Sequence, residues 1–242
     1  RCCAKTMIDL LVSIVNMNHA ALLPACVDSV SNSVGSLSAR IVVLDNASTD
    51  GSAQLIAERY PNIELIARTT RHGFAKNQNS IIEANVSNAQ YFLLLNDDTE
   101  VEGTALTEMV RFMDAHPRVG IAGARLVYPD GSPQSSYAAF PTVWDEVMYL
   151  WGLGKLLPKH RRAGLKCLIK PMGRFLPRSA RVYLDNWMDV PEKPARVDWV
   201  CGACMMVRRE MLQQVGLLDA ERFFMYFEDT DWCRRFWDAG YS

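Results

Sequence analysis

Asn96-Asp97-Asp98-Thr99 follows directly on the apolar run Tyr91 to Leu95, which sets two adjacent acids at the end of a strand. Neighbouring carboxylates in such a place repel one another unless a cation or hydrogen-bond donors neutralise them. A divalent ion does this well, because Mg2+ or Mn2+ takes one or two protein carboxylates and completes its shell with waters and substrate phosphates. The competing reading is a solvated acidic turn. Two more strand ends carry polar groups: Leu10 to Val15 runs into Asn16-Met17-Asn18, and Ile41 to Leu44 runs into Asp45-Asn46-Ala47-Ser48-Thr49-Asp50-Gly51-Ser52. Thr49 or Asp50 can cap the next helix and Gly51 can ease the turn. Capping does not account for Asp45, whose carboxylate on the strand end can accept hydrogen bonds from a base or a ribose.

A third group of acids, Glu228, Asp229 and Asp231, stands at the mouth of an amphipathic segment running to about Ala239. As structure alone, these acids complement the helix dipole while Phe236 and Trp237 face the core. Cys201-Gly202-Ala203-Cys204 has the spacing of a redox pair. Such a pair normally opens a helix, whereas here the strand-like Met205-Met206-Val207 follows.

The elements that must position these groups follow a βαβα order. Apolar runs of strand length at Leu10–Val15, Ile41–Leu44, Ile63–Ala67 and Tyr91–Leu95 alternate with helical patterns over 20–33, 52–59, 74–86 and 103–115. Runs as continuous as Ile41-Val42-Val43-Leu44 are buried on both faces, as in a mostly parallel central sheet flanked by helices, and ligands of such sheets bind beyond the carboxyl ends of the strands. The expected class is therefore α/β and Rossmann-like. A fifth strand is expected over Gly120 to Val127, closed by Pro129-Asp130-Gly131. Residues 137–196 read as an insertion rich in Trp, Pro, Gly and basic residues. A strand at Trp199 to Val207, a short helix at Glu210 to Val215 and a final helix from about Asp229 to Ala239 close the chain, with Gly240 as the stop.

The 242 residues, 49% hydrophobic and 22% charged, suit one sizeable folded domain, 1–242, and favour neither disorder nor a membrane-spanning class. A formal charge of −1 offers no basic excess for nucleic acid. Seven scattered cysteines suit a reducing compartment better than a disulfide framework, so the expected location is cytoplasmic. The chain starts at Arg1 and ends on Gly240-Tyr241-Ser242. The expectation is a piece of a longer protein, truncated at the C-terminus.

Taken in order, Val12-Ser13-Ile14-Val15-Asn16, Leu44-Asp45-Asn46-Ala47-Ser48-Thr49-Asp50-Gly51-Ser52, Gly73-Phe74-Ala75-Lys76-Asn77-Gln78-Asn79 and Leu94-Leu95-Asn96-Asp97-Asp98-Thr99 resemble successive blocks of family-2 glycosyltransferases, in particular bacterial rhamnosyltransferase-like members. The resemblance implies a GT-A fold, with 8–130 as the nucleotide-sugar half and 197–242 as the acceptor side and catalytic segment. It implies that Asn16 lies in the first nucleotide-binding loop, that Asp45 contacts base or ribose, and that Gly73 and Asn77 sit near the donor. The acidic motif of this subgroup often reads Asn-Pro-Asp-Thr. Asp97 stands here in place of Pro, so Asp98 takes the metal-ligand role and Asp97 is counted with the donor-binding residues.

Trp199 to Val207 resembles the acceptor-side strand, and Glu228-Asp229 resembles the catalytic-base motif, with Asp229 the better match for the base. The implied reaction is inverting transfer of a hexose, rhamnose among them, from a dTDP- or UDP-sugar to a glycan or polyprenyl-diphosphate acceptor, assisted by Mg2+ or Mn2+. Asp229 would take the acceptor proton while the cation offsets charge on the leaving diphosphate. The family usually carries a further His near the metal, and His19, His72, His116 and His160 all lie too early to match it. A catalytically weak nucleotide-sugar-binding protein is thus the alternative.

Other enzymes with acids at strand ends fit less well. A phosphotransferase of the haloacid-dehalogenase type needs a nucleophilic Asp where Asn96 stands. Neither the Gly-rich loop of a dinucleotide oxidoreductase nor the Gly-rich, basic loop of a nucleotidyltransferase follows the first strand. Between Glu146 and Asp185 lie Lys155, Lys159, Arg161, Arg162 and further basic residues with no acid, beside Trp144, Tyr149 and Trp151. Such a stretch can lie on an anionic membrane surface, here the cytoplasmic face near a lipid-linked acceptor, or can be a solvated loop.

Overall fold

The apolar runs form the middle of one sheet because each is covered on both sides. In the computed structural model, which describes residues 7–143 and 193–242, β1 (Ile8–Asn16), β2 (Ala39–Asp45), β3 (Glu64–Ala67) and β4 (Ala89–Asn96) alternate with α1 (Leu23–Ser33), α2 (Ser52–Arg59), α3 (Phe74–Asn85) and α4 (Ala105–Ala115). Leu10, Leu11, Val12, Ile14, Val42, Val43, Leu44 and the whole run Tyr91 to Leu95 are shut off from solvent. Each such side chain stabilises the fold by about 1.5–3 kcal/mol relative to exposure.

The strands order as β3-β2-β1-β4-β10-β5, where β5 is Ile121–Gly123 and β10 is Cys204–Arg208. β1 to β4 pair in parallel, and β10 runs antiparallel between β4 and β5. This is the expected α/β class with a mostly parallel sheet, the single reversal falling at β10. Short α5 (Arg209–Val215) and α6 (Glu228–Asp238) follow.

Two expected strands are each broken. Gly120 to Val127 divides into β5 and β6 (Leu126–Val127), which belong to different sheets. The chain leaves the main sheet after Ala124, and β6 pairs with β7 (Pro133–Gln134) across the Tyr128 to Ser132 turn, where Gly131 takes φ +78°. Trp199 to Val207 divides into β9 (Trp199–Val200) and β10. Its break at 201–203 arises because Gly202 and Ala203 turn their backbone groups to Asp229 and Asn96 rather than to a ladder. Apolar character continues through both breaks, so hydrophobicity alone reads across them.

Two compact units divide the chain, one of 1–124 with 201–242 and one of 125–200. In the second, β8 (Tyr137–Ala138) pairs antiparallel with β9, and the Trp199 indole donates to the Ala139 carbonyl. The basic stretch with Lys155, Lys159, Arg161 and Arg162 lies outside the described residues. Among the described residues no helix is long and apolar enough to cross a membrane.

Candidate active site

Parallel pairing aligns the ends of β1, β2 and β4, with Asn16 opposite Asp45 and Val15 opposite Asn96. Asn16 Nδ2 donates to Asp45 Oδ1 at 2.8 Å and to Ser48 Oγ at 3.1 Å, and the Ser48 N–H donates to Asp45 Oδ2 at 3.0 Å. Asp45 is thus buried and oriented by one protein hydrogen bond on each oxygen, which leaves further acceptor capacity on both. Asn16 Oδ1 is buried without a partner among the described residues. An orphaned acceptor costs about 1–3 kcal/mol, and such a group at a strand mouth is ready for a ligand donor.

The two acids after β4 have different surroundings. Asp97 is buried: its Oδ1 meets His19 Nδ1 at 2.9 Å and its Oδ2 accepts the Met17 N–H at 3.3 Å. Burial pushes the Asp97 carboxyl up, and the His19 and Met17 hydrogen bonds pull against it. The His19 imidazole is raised, chiefly by its hydrogen bond to Asp97. Asp98 is exposed, and no hydrogen bond from the described residues reaches its carboxylate. No group of three or more His, Cys, Asp or Glu able to hold a metal comes together among the described residues. One free carboxylate fits a cation whose other ligands are water and donor phosphates. It does not fit a closed protein cage.

Asn46 links this face to α3: its Nδ2 donates to the His72 carbonyl and its Oδ1 accepts the His72 N–H, both at 2.9 Å. Asn77 is fully buried, donates to the His72 carbonyl at 3.2 Å and leaves Oδ1 unpartnered. Ser13 Oγ donates to Gln78 Oε1 in the core beneath. Gly73 serves a close approach, since a Cβ there would stand 2.2 Å from the Phe224 carbonyl oxygen. That carbonyl also accepts the Phe74 N–H at 3.2 Å. The loop before α6 is thereby seated on the start of α3.

Asp229 is half-buried, and its Oδ2 accepts the Gly202 N–H at 3.1 Å while Oδ1 accepts the Thr230 N–H at 2.7 Å. Ala203, next along, accepts the Asn96 N–H at 3.0 Å. One backbone-to-side-chain and one backbone–backbone contact therefore connect the helix bearing Asp229 to the strand end next to Asp98. Glu228 is buried with Oε2 unpartnered, and burial raises its carboxyl. Asp231 instead binds Arg235 Nε at 2.8 Å, and Arg235 donates to the Val215 and Leu217 carbonyls at 2.8 Å each. Asp231 holds the helix.

Tyr226 and Phe227, just before these acids, both lie in the left-handed region at φ +70° and +67°. Each such non-glycine residue costs roughly 1–2 kcal/mol. Phe224, Tyr226 and Phe227 are exposed, which leaves an aromatic rim beside Asp229.

Several of these positioning residues escape sequence reasoning. Asn79 exchanges two hydrogen bonds with Leu218, at 2.7 and 3.1 Å, and Trp232 Nε1 donates to the Gly216 carbonyl at 2.9 Å, so α3 and α6 share one anchor loop. The run of three amides Asn77-Gln78-Asn79 within α3 was the available signal. His19 carries none, since its partner is 78 residues away in sequence.

Residues 11–176 match the family described as glycosyl transferase family 2. The N-acetylglucosaminyl-diphospho-decaprenol L-rhamnosyltransferase of Mycobacterium tuberculosis is 28% identical over 212 residues, covering 83% of this chain. The chain spans 62% of that relative's length. Among solved structures, the fold is similar to the mannosyltransferase PcManGT from Pyrobaculum calidifontis in complex with GDP-Man and Mn2+, with a TM-score of 0.58 and 17% identity over 98% of this chain and 54% of that one. It is also similar to GalNAc-T7 with UDP, GalNAc and Mn2+, with a TM-score of 0.63 and 15% identity over 97% of this chain and 41% of that one. These neighbours are GT-A glycosyltransferases.

Proposed function

The chain belongs to glycosyl transferase family 2, and from that premise we propose that it catalyses inverting transfer of a hexose from a nucleoside-diphosphate sugar to a glycan or polyprenyl-diphosphate-linked acceptor. The observation that carries this reading is the pairing of two differently placed carboxylates. Asp98 is free and exposed at a parallel strand end, and Asp229 is fixed by Gly202 on a loop hydrogen-bonded to that same strand.

In the proposed reaction the acceptor hydroxyl attacks the anomeric carbon from the face opposite the diphosphate, and the bond from that carbon to the diphosphate oxygen breaks. Asp229 takes the hydroxyl proton. Its tie to Gly202 keeps one oxygen oriented, so the carboxylate is held ready rather than recruited. Asn16, Asp45 and Asn77 bind the nucleoside end, where the unpartnered Asn16 Oδ1 and Asn77 Oδ1 accept donor hydrogen bonds. Gly73 shapes the junction of donor and acceptor loops, Asp97 orients the β1 loop, and Glu228 supports the start of α6. Mg2+ or Mn2+, held by Asp98 with the donor phosphates, would supply positive charge against that growing on the departing diphosphate.

The relative's lipid-linked acceptor and rhamnosyl donor support dTDP-rhamnose as donor, with UDP-sugars next, and a role in cell-surface polysaccharide or cell-wall synthesis. The exposed Phe224, Tyr226 and Phe227 support an acceptor with apolar or sugar faces to stack on. The proposed setting is the cytoplasm at the inner face of the plasma membrane. Transfer of radiolabelled sugar to a lipid-linked acceptor, preceded by a thermal-shift panel of UDP, dTDP and GDP with Mg2+ or Mn2+, tests the reading. Stabilisation by a nucleotide with transfer is expected. Stabilisation without transfer or hydrolysis would make the protein a binding module.

A further inference from the structure

We infer that His19 and Asp97 are positioning residues: their contact tethers the β1 loop to the turn bearing Asp98 and sets that carboxylate for the cation and the donor diphosphate. The inference rests on the reading of this face as a nucleotide-sugar site.

Asp97 and Asp98 are the two central residues of a turn closed by the Thr99 N–H on the Asn96 carbonyl at 3.3 Å. Position two of such a turn is where Pro is favoured, because its fixed φ restricts the turn. This chain has no Pro there. Its Asp97 instead reaches sideways and holds the neighbouring loop at two points, the Met17 N–H and the His19 ring. The same loop is fastened on its other flank, where the Asn18 N–H donates to Ser48 Oγ at 3.0 Å and Asn18 Oδ1 accepts the Thr49 N–H at 2.8 Å. Asn18 sits at φ +61°, a conformation held by those contacts. The turn of β4, the loop of β1 and the loop of β2 are thus laced in series, with Asp98 at one end and Asp45 near the other.

The tether joins a His19 side chain that is 46% exposed to an Asp97 side chain that is 8% exposed, so its loss takes a partner from a buried carboxylate and costs some stability as well. Its geometric consequence is larger, because Asp98 has no protein partner of its own among the described residues and depends on the turn for its direction. Asp97 is the residue that holds that turn. Supporting partners of metal ligands commonly change affinity by about 10–100-fold when removed.

The experiment measures binding of Mn2+ alone by electron paramagnetic resonance and of UDP and dTDP by calorimetry, each nucleotide with Mn2+ and again with EDTA, alongside melting temperatures. His19→Ala is expected to weaken Mn2+ and Mn2+-nucleotide binding about tenfold, to leave nucleotide binding in EDTA nearly unchanged, to lower the melting temperature modestly because the buried Asp97 loses a partner, and to raise donor KM more than it lowers kcat. Asp97→Asn keeps one acceptor oxygen and turns an N–H toward the other contact, so its affinity should fall between those of the unaltered protein and Asp97→Ala. His19→Ala combined with Asp97→Ala should lose no more than Asp97→Ala alone, and His19→Ala combined with Asp97→Pro should regain affinity.

Equal Mn2+-nucleotide affinity in His19→Ala and the unaltered protein overturns the inference and leaves the site reading intact. Additive losses in the His19→Ala, Asp97→Ala pair overturn it as well. An unaltered protein that binds neither nucleotide overturns the site reading and the inference together.

Discussion

Gly202 donates its N–H to Asp229 Oδ2 at 3.1 Å, and the Thr230 N–H and hydroxyl donate to Oδ1 at 2.7 and 3.3 Å, so both oxygens of the proposed base are held. Because Ala203 accepts the Asn96 N–H at 3.0 Å, the same three residues between β9 and β10 contact both Asp229 and the end of β4. An amide at position 229 keeps one acceptor oxygen, enough for the Gly202 N–H but not for the Thr230 N–H as well, and cannot take a proton. Asp229→Asn is therefore expected to lower transfer by about 10²–10⁴-fold with donor affinity nearly unaltered, whereas Asp98→Ala weakens metal-dependent donor binding. Calorimetry of nucleotide binding alongside radiolabelled transfer checks both. Equal loss of donor binding in the two variants would remove the division of labour between these acids.

Gly73→Ala drives a Cβ to within 2.2 Å of the Phe224 carbonyl oxygen, and the obstacle is backbone that cannot rotate away. A loss of about 1–3 kcal/mol is expected on overpacking grounds. The loop before α6 should lift from α3, lowering transfer as well. Gly202→Ala is the contrasting case: its Cβ would meet the Phe74 ring at 3.6 Å and Asp229 Oδ2 at 3.7 Å, ordinary contact distances. Its stability should therefore hold while the new methyl fills the space in front of Asp229 and raises KM for the acceptor. Urea unfolding with steady-state kinetics separates the two outcomes, and a destabilised Gly202→Ala with normal acceptor KM would reverse the assignment.

The α/β architecture was legible because Leu10–Val15, Ile41–Leu44 and Tyr91–Leu95 are apolar without alternation, which only a doubly covered strand tolerates. The acids at their ends were legible for the same reason, since a charge at the close of such a run has to be accounted for. What hydrophobicity could not convey was where a strand stops for a backbone reason. Cys201-Gly202-Ala203 continues the apolar run, yet its amides serve Asp229 and Asn96. The resemblance separated Asp98 from Asp97 only through the Pro that Asp97 replaces, and the contact of Asp97 with His19, 78 positions away, has no local mark. Gly73 was singled out by resemblance, but its close approach to Phe224 is a tertiary contact.

The Cys201-Cys204 spacing carries its own test. Burial pushes the Cys204 thiol up to about 12 and the Cys26 thiol likewise to about 12, and Cys201 is raised as well. All three are free thiols. Thiolate is the reactive form, so at pH 8 these side chains should be almost wholly protonated and inert. Alkylation of the native protein followed by peptide mapping should leave Cys26 and Cys204 unmodified, with full modification only after unfolding. Rapid native labelling of Cys204, or a Cys201–Cys204 disulfide after mild oxidation, would revive a redox role for the pair.

Glu228 gives the pH dependence its sign. Its carboxyl is buried with Oε2 unpartnered, and burial lifts its pKa above the ordinary 4.5, with the neighbouring Asp229 charge adding to the lift. The helix start at α6 favours a negative charge, but by only about 0.3–1 kcal/mol when exposed, and here desolvation wins. A folded-state pKa above the unfolded value means that the native protein holds the proton more tightly. Stability from this group is then complete below pH 4.5 and is lost as pH rises through the folded-state pKa. Glu228→Gln removes the charge and keeps the shape. It should raise stability near pH 7 by on the order of 1 kcal/mol, with the advantage vanishing as the pH falls below the unfolded value. Transfer should persist at a reduced rate, since Asp229 keeps its Gly202 contact. Thermal melts of both proteins across pH 4 to 8 read this directly. A Glu228→Gln protein less stable than the unaltered one at pH 7 would mean that the carboxylate is stabilised by a partner, and complete loss of transfer would place Glu228 among the reacting groups.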